Sequence, residues 1–135
     1  MLTFEGLLEM RAKDNIQVVE EGKLVKGTAE AYMQQMLIDP VEKSLEDVKS
    51  LSQHPDTEAI IEASQAVFDF GLEVFKTDFM DIARMMDAGT PEAEIRQAIQ
   101  AMFNARDQEM YLRVERLDAL AIPYAKANNI PVHTR

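Results

Sequence analysis

The sequence contains no cysteine, only two histidines and few turn-forming residues. Without cysteine, a thiol nucleophile, a zinc–thiolate cluster and a disulfide framework are all excluded. Five glycines and five prolines are too few for the many turns of a β-sandwich. The 135 residues are also fewer than the roughly 250 that a (β/α)₈ barrel requires. These absences favour one domain over residues 1–135 that folds around its own hydrophobic core.

Long hydrophobic runs are also missing. The longest, such as Ala119–Ile122, fall far short of the roughly 20 apolar residues that cross a bilayer. The segment Met1–Lys13 carries Glu5 and Glu9 and has no basic leader before an apolar core, so it does not resemble a signal peptide. We therefore expect a cytoplasmic protein that does not associate with membranes.

Positive charge is scarce. The 14 lysines and arginines face 24 aspartates and glutamates, which gives a formal net charge of −10. The acidity is greatest over 40–89, with eleven acids against four bases, whereas 90–135 has six of each. Such a surface repels nucleic-acid phosphates and anionic lipids. Direct binding to nucleic acid is therefore not expected.

Two long segments have helical periodicity and a short turn between them. Apolar residues recur mostly every three or four positions over 57–87. They are Ile61, Phe68, Leu72, Phe75, Phe79, Ile82 and Met86. Gly89 then supplies a left-handed stop, and Thr90 with Pro91 starts the next helix. The sequence predicts an all-α, single-domain antiparallel bundle of four to six helices, built around a hairpin of about 57–87 and 91–122.

The N-terminal third of the chain is less regular. Residues 14–27 permit either a helix or a small hairpin, and we favour the helix because Glu, Lys and Ala dominate nearby. Whether 1–27 docks on the bundle is left open by the sequence. The last residues, 130–135, are expected to form a flexible tail.

Two arginines interrupt the apolar face of the second long helix. Arg106 and Arg113 project near the centre of that face, level with Leu72 and Gln65 of the first helix. Each guanidinium needs a carboxylate, a carbonyl group or water. The acids within reach by helix position are Glu62, Asp69 and Glu73. The arginine stems either cover apolar surface while their heads reach these acids, or the layer binds an anion or a partner's carboxylate.

Phe70 and Met80 project away from the main apolar stripe of the first long helix. Either neighbours surround that helix, or it exposes an apolar patch there. The nine methionines of the chain suit an adaptable core, and also a pliable groove for a partner's helix. We expect an interaction surface at Phe70 and Met80.

Sequence motifs for catalysis are missing. No serine lies in a Gly-x-Ser-x-Gly context, and no glycine-rich phosphate loop ends in Gly-Lys-Ser/Thr. Neither His54 nor His133 follows an acid by three residues, as a di-metal carboxylate bundle requires. We predict no catalytic residue, no metal ligand and no cofactor, and we do not expect an enzyme.

Three functional hypotheses follow from these observations. The leading one is a non-enzymatic helical interaction module that self-associates or binds a partner protein. The second is an acidic inhibitor that mimics DNA and occupies a basic groove on a nucleic-acid-binding protein. The third is a bundle that binds a small ligand or anion through Arg106 and Arg113.

Overall fold

The structure is a computed structural model that describes residues 4–51 and 54–131, and these residues are mostly helical, as the sequence predicts. The helices are α1 Phe4–Ala12, α2 Ala29–Met33, α3 Asp39–Lys49, α4 Glu58–Val74, α5 Met80–Asp87 and α6 Glu92–Ala127. Two π-helical turns, Gln34–Ile38 and Phe75–Phe79, join α2 to α3 and α4 to α5 without a break. A hairpin of β1 Gln17–Glu20 and β2 Lys23–Lys26 lies between α1 and α2.

The two longest helical stretches, α4–α5 and α6, lie antiparallel. Near the turn that joins them, the rings of Phe79 and Phe103 pack edge to face with centroids 6.5 Å apart. Farther from the turn, Arg113 donates a hydrogen bond to the carbonyl oxygen of Ala66. The two stretches therefore run in opposite directions. Gly89, with a φ of 79°, ends the first stretch in the left-handed conformation that glycine adopts without strain.

Met80, the first residue of α5, is buried and only 7% exposed. Helix α5 packs against both α2 and α6, so more than one of its faces is covered. Ile82 and Met86 of the same helix are buried as well. The interaction surface expected at Met80 is therefore wrong.

The continuous stretch from α2 to α3 packs against α4 and α5. The carboxylate of Asp87, at the end of α5, accepts hydrogen bonds from the backbone N–H groups of Ala29 and Glu30 at 2.7 and 3.1 Å. A carboxylate at this position satisfies N–H groups that lack a partner within the helix and complements the helix dipole. An ion pair between Glu42 and Lys76, 2.6 Å long, joins α3 to the π turn of the long stretch.

Residues 14–27 form a hairpin rather than the helix that we favoured. Glu21 and Gly22 have φ angles of 51° and 77°, which suit the two-residue turn of a hairpin. The side-chain amide of Gln35 accepts from the Val19 N–H at 2.8 Å and donates to the Val19 carbonyl oxygen at 2.6 Å. These bonds occupy the outer edge of β1. The tertiary contact therefore supports strands that the local composition does not favour.

Gly27 follows β2 at a point where two parts of the backbone approach closely. Its N–H donates to the carbonyl oxygen of Ile16 at 3.0 Å. A β-carbon at this position would lie 2.6 Å from a methyl carbon of Val18, which is itself buried. The absence of a side chain at Gly27 is therefore a packing requirement.

Helix α1 covers the closed end of the long hairpin. The Phe4 ring packs against that of Phe79, with centroids 4.7 Å apart. The guanidinium of Arg11 donates to the carbonyl oxygens of Met86 and Thr90 at 3.1 and 2.6 Å. The described part of the N-terminal segment is thus docked on the helices. The largest fully buried side chains among the described residues are Leu7, Met33, Ile38 and Ile95.

Candidate functional site

The ring of Phe70 lies beside two guanidinium groups. The Cζ atoms of Arg106 and Arg113 are 5.7 and 4.9 Å from its centroid, which is within the range of cation–π attraction. Phe70 is 3% exposed, so the interaction surface expected at this residue is also wrong. At Phe70, helix α4 is covered by neighbouring side chains, including Arg106 and Arg113. We refer to Phe70, Arg106 and Arg113 as the arginine layer.

Arg106 is held by two carboxylates. Its Nε donates to Asp78 at 2.8 Å, and its Nη2 donates to the other oxygen of the same carboxylate at 3.4 Å. Glu73 lies 3.7 Å from Nη1. The hydrogen bond from Arg106 lowers the pKa of Asp78 below its usual range, against the opposing effect of burial. The same hydrogen bond raises the pKa of Arg106, which is therefore charged whenever the protein is folded.

Arg113 spans the two long helical stretches. Its Nη1 donates to the carbonyl oxygen of Ala66 at 2.9 Å. Its Nη2 donates to Glu109, one turn earlier on α6, also at 2.9 Å. The side chain is 35% exposed, so the guanidinium is bonded to the protein on one side and open to solvent on another. Arg113 therefore helps to fix the position of α6 along the axis of α4.

Only one of the three acids expected near the arginines forms an ion pair there. That acid is Glu73. Within residues 4–51 and 54–131, neither Glu62 nor Asp69 pairs with a base, and both side chains are exposed. Asp78, which lies in the π turn and accepts from Arg106, was not among the acids expected from the sequence. The four-residue spacing of Glu109 and Arg113, in contrast, is readable from the sequence.

The arginine layer favours a structural role over anion binding. The positive charge of Arg106 is balanced by Asp78 and Glu73, and that of Arg113 by Glu109. Balanced charges leave little net attraction for an anion. The guanidinium groups lie against the Phe70 ring while both arginine side chains remain about one-third exposed to water.

The C-terminal part of α6 carries apolar side chains that the described chain does not cover. Ile95 and Met102 are buried, but no residue from 103 to 131 is buried within the described chain. Tyr111 and Leu112 are 65% and 54% exposed. A sequence signal exists for both, since neither residue falls on the apolar face that α6 turns toward α4. This part of α6 is the strongest candidate for a binding surface.

An open cleft lies at the end of the long hairpin farthest from its turn. It encloses about 650 Å³. Its walls are mostly apolar, and neither Arg106 nor Arg113 contributes to them. The lining residues are Leu51, His54, Thr57, Ile60, Ile61, Ala121, Tyr124 and Ala125. The small-ligand site expected at the arginine layer therefore does not coincide with this cleft.

Among the described residues, no group of three or more His, Asp or Glu side chains is arranged to hold a metal ion. No helix in the described ranges is long and apolar enough to span a membrane. His133 lies outside the described residues. Comparisons with protein-family models, curated proteins and solved structures find no match for this chain.

Proposed function

We propose that this chain is a non-enzymatic helical module that acts in the cytoplasm by binding protein. The observation that carries the proposal is the exposure of α6 beyond Met102. Over that region, α6 is supported mainly by α4, and large apolar side chains remain in contact with water. A helix with an uncovered apolar surface is typical of a protein that binds another helix.

The sequence agrees with this proposal in two respects. The whole chain lacks the nucleophile, phosphate-loop and metal-ligand motifs that would favour catalysis. Its net charge of −10 disfavours nucleic acid and anionic lipid as partners, which leaves protein as the favoured partner class.

Site-specific photo-crosslinking tests the proposal. A benzophenone amino acid replaces Leu112 on α6 in one variant and Leu24 on β2 in the control variant. Leu24 is a suitable control because it is also a well-exposed leucine, at 66%, on a different part of the chain. Both variants are irradiated in the cells that express them.

We expect a protein adduct of discrete mass from position 112 and none from position 24. A further substitution, Arg116→Glu, one turn from position 112, should reduce the adduct because it alters the same surface. Equal crosslinking at both positions, or no protein adduct at position 112, would contradict the proposal.

A further inference from the structure

Unpaired charges of opposite sign lie on the two helices of the half-hairpin that is farthest from Gly89. Within the described chain, Glu62 on α4 and Arg116 on α6 are exposed and form no ion pair. Asp69 and Lys126 are exposed and unpaired in the same way within that part of the structure. Of these four residues, the two acids belong to α4 and the two bases to α6, which also carries the exposed acid Glu115.

Glu62 and Arg116 lie at the same level along the hairpin. The hydrogen bond from Arg113 to the carbonyl oxygen of Ala66 fixes a common level for α4 and α6. Glu62 precedes Ala66 by four residues and Arg116 follows Arg113 by three, so both lie about 5 to 6 Å farther toward the open end. Within the described part of one chain, no ion pair joins these two side chains.

Both residues also lie on the side of the hairpin that Arg113 spans. Arg116 is about 60° around α6 from Arg113, and Glu62 is about 40° around α4 from Ala66. Leu112 and Leu120 lie on the same side of α6. We refer to Leu112, Arg116, Leu120, Glu62 and Ala66 as the open flank.

We propose that the open flank binds the open flank of a second copy of this chain, so that two hairpins form an antiparallel four-helix arrangement. This inference rests on the proposed function and specifies its partner. A two-fold axis that runs parallel to the helices, between the two open flanks, places α4 of each protomer opposite α6 of its partner at the same level. Arg116 of each protomer then lies opposite Glu62 of the partner subunit, twice in the dimer. Because Glu62 lies on α4 and Arg116 on α6, this pair makes the open flank self-complementary, as a two-fold interface requires.

The available surface is large enough for such a dimer. From Phe103 to Ala127, α6 is about 37 Å long, and two helices side by side are about 20 Å wide. The footprint is therefore about 700 Å² per protomer, close to the roughly 800 Å² that a typical specific interface buries on each side. Leu112, at 54% exposed, supplies apolar area within it.

Charge reversal tests this arrangement in the full-length chain. Sedimentation velocity and native mass spectrometry, at about 10 to 100 μM protein, measure the mass of wild type, Arg116→Glu and Glu62→Arg. The control, Glu94→Arg, reverses an exposed and, within the described chain, unpaired acid near the closed end of the hairpin. Circular dichroism verifies that every variant remains helical.

We expect wild type and Glu94→Arg to have twice the mass of the 15.3 kDa chain. Each single reversal on the open flank should weaken dimerisation at least 10-fold, because like charges then face each other. An equimolar mixture of Arg116→Glu and Glu62→Arg should restore the dimer, since both contacts then pair opposite charges. The double variant should dimerise alone for the same reason.

Three outcomes would overturn the proposal. The first is a wild-type monomer at 100 μM, the second is a dimer that both reversals leave unchanged, and the third is failure of the mixture to restore association. A wild-type monomer that still gives a discrete adduct with another protein at position 112 would reject the second copy but support the proposed function. Absence of any adduct at position 112 would reject the proposed function itself.

Discussion

Asp87 and Ala29 lie 58 residues apart in the sequence, yet the carboxylate of Asp87 accepts a 2.7 Å hydrogen bond from the Ala29 N–H. Together with its bond from Glu30, this contact makes the last residue of α5 a cap for the first turn of α2. Replacing Asp87 by Ala should lower the free energy of unfolding by about 1 kcal/mol, as the loss of other helix caps does.

Chemical denaturation at pH 7 measures this loss. The matched control is Asp107→Ala, which removes an exposed acid that caps no helix among the described residues. The control should remain within about 0.5 kcal/mol of wild type. Equal effects at the two positions would show that the contact between Asp87 and α2 does not stabilise the protein.

Gln35 should protect the outer edge of β1. In the Gln35→Ala variant, the Val19 N–H and carbonyl oxygen lose their partners, at an expected cost of about 1 kcal/mol. Hydrogen exchange at the Val19 amide should accelerate at least 5-fold while exchange in α4 remains unchanged. The control variant Gln97→Ala, exposed on α6, should leave the Val19 amide protected. Unchanged exchange in Gln35→Ala would refute the role of Gln35.

Gly27→Ala should destabilise the protein by about 1 to 3 kcal/mol, because its β-carbon would overlap the side chain of Val18. A double-mutant cycle isolates this overlap. Val18→Ala should cost less in the Gly27→Ala background than in wild type, since the smaller side chain removes the overlap. If the losses in unfolding free energy from Gly27→Ala and Val18→Ala simply add, overlap with Val18 is not the reason that Gly27→Ala destabilises the protein.

The contact between Asp78 and Arg106 should make stability depend on pH in the acidic range. Because the hydrogen bond lowers the pKa of Asp78 in the folded protein, the stabilisation is complete above the ordinary pKa of an aspartate. It is lost as the pH falls through the lowered value. The gap in unfolding free energy between wild type and Asp78→Asn should be largest at pH 7 and shrink below about pH 4.

Urea unfolding at pH 7 and at pH 3 checks this dependence. The control is Asp107→Asn, at an acid that forms no ion pair with described residues, and at pH 7 the gap from wild type should be larger for Asp78→Asn than for this control. A gap for Asp78→Asn that grows on acidification would contradict the direction of the pKa change.

The sequence predicts those features of the fold that depend only on residues close together in the chain. The pattern Gly89-Thr90-Pro91 predicts the turn between the two long helices, because a left-handed stop and a helix start follow each other directly. Apolar periodicity predicts the helices themselves. The position of Arg106 and Arg113 near the apolar face predicts that both need polar partners, and both have them.

The remaining features depend on contacts that no short segment encodes. The hairpin over 14–27 is supported by Gln35, which comes later in the chain. Met80 was misplaced because α2 and α6 both pack against α5 and cover more than one of its faces, which the sequence of α5 alone does not encode. Phe70 was misplaced because two arginines from another helix cover it.

The docking of α1 on the closed end of the hairpin has a consequence for the order in which the chain folds. Helix α1 is synthesised before Phe79, Thr90 and Phe103, which follow their contact partners on α1 by about 75 to 100 residues. At 5–20 residues per second, roughly 5 to 20 s pass on the ribosome before Phe103 is made. A nine-residue helix is marginal in isolation, so α1 emerges before the segments on which it docks and acquires its native structure only after them.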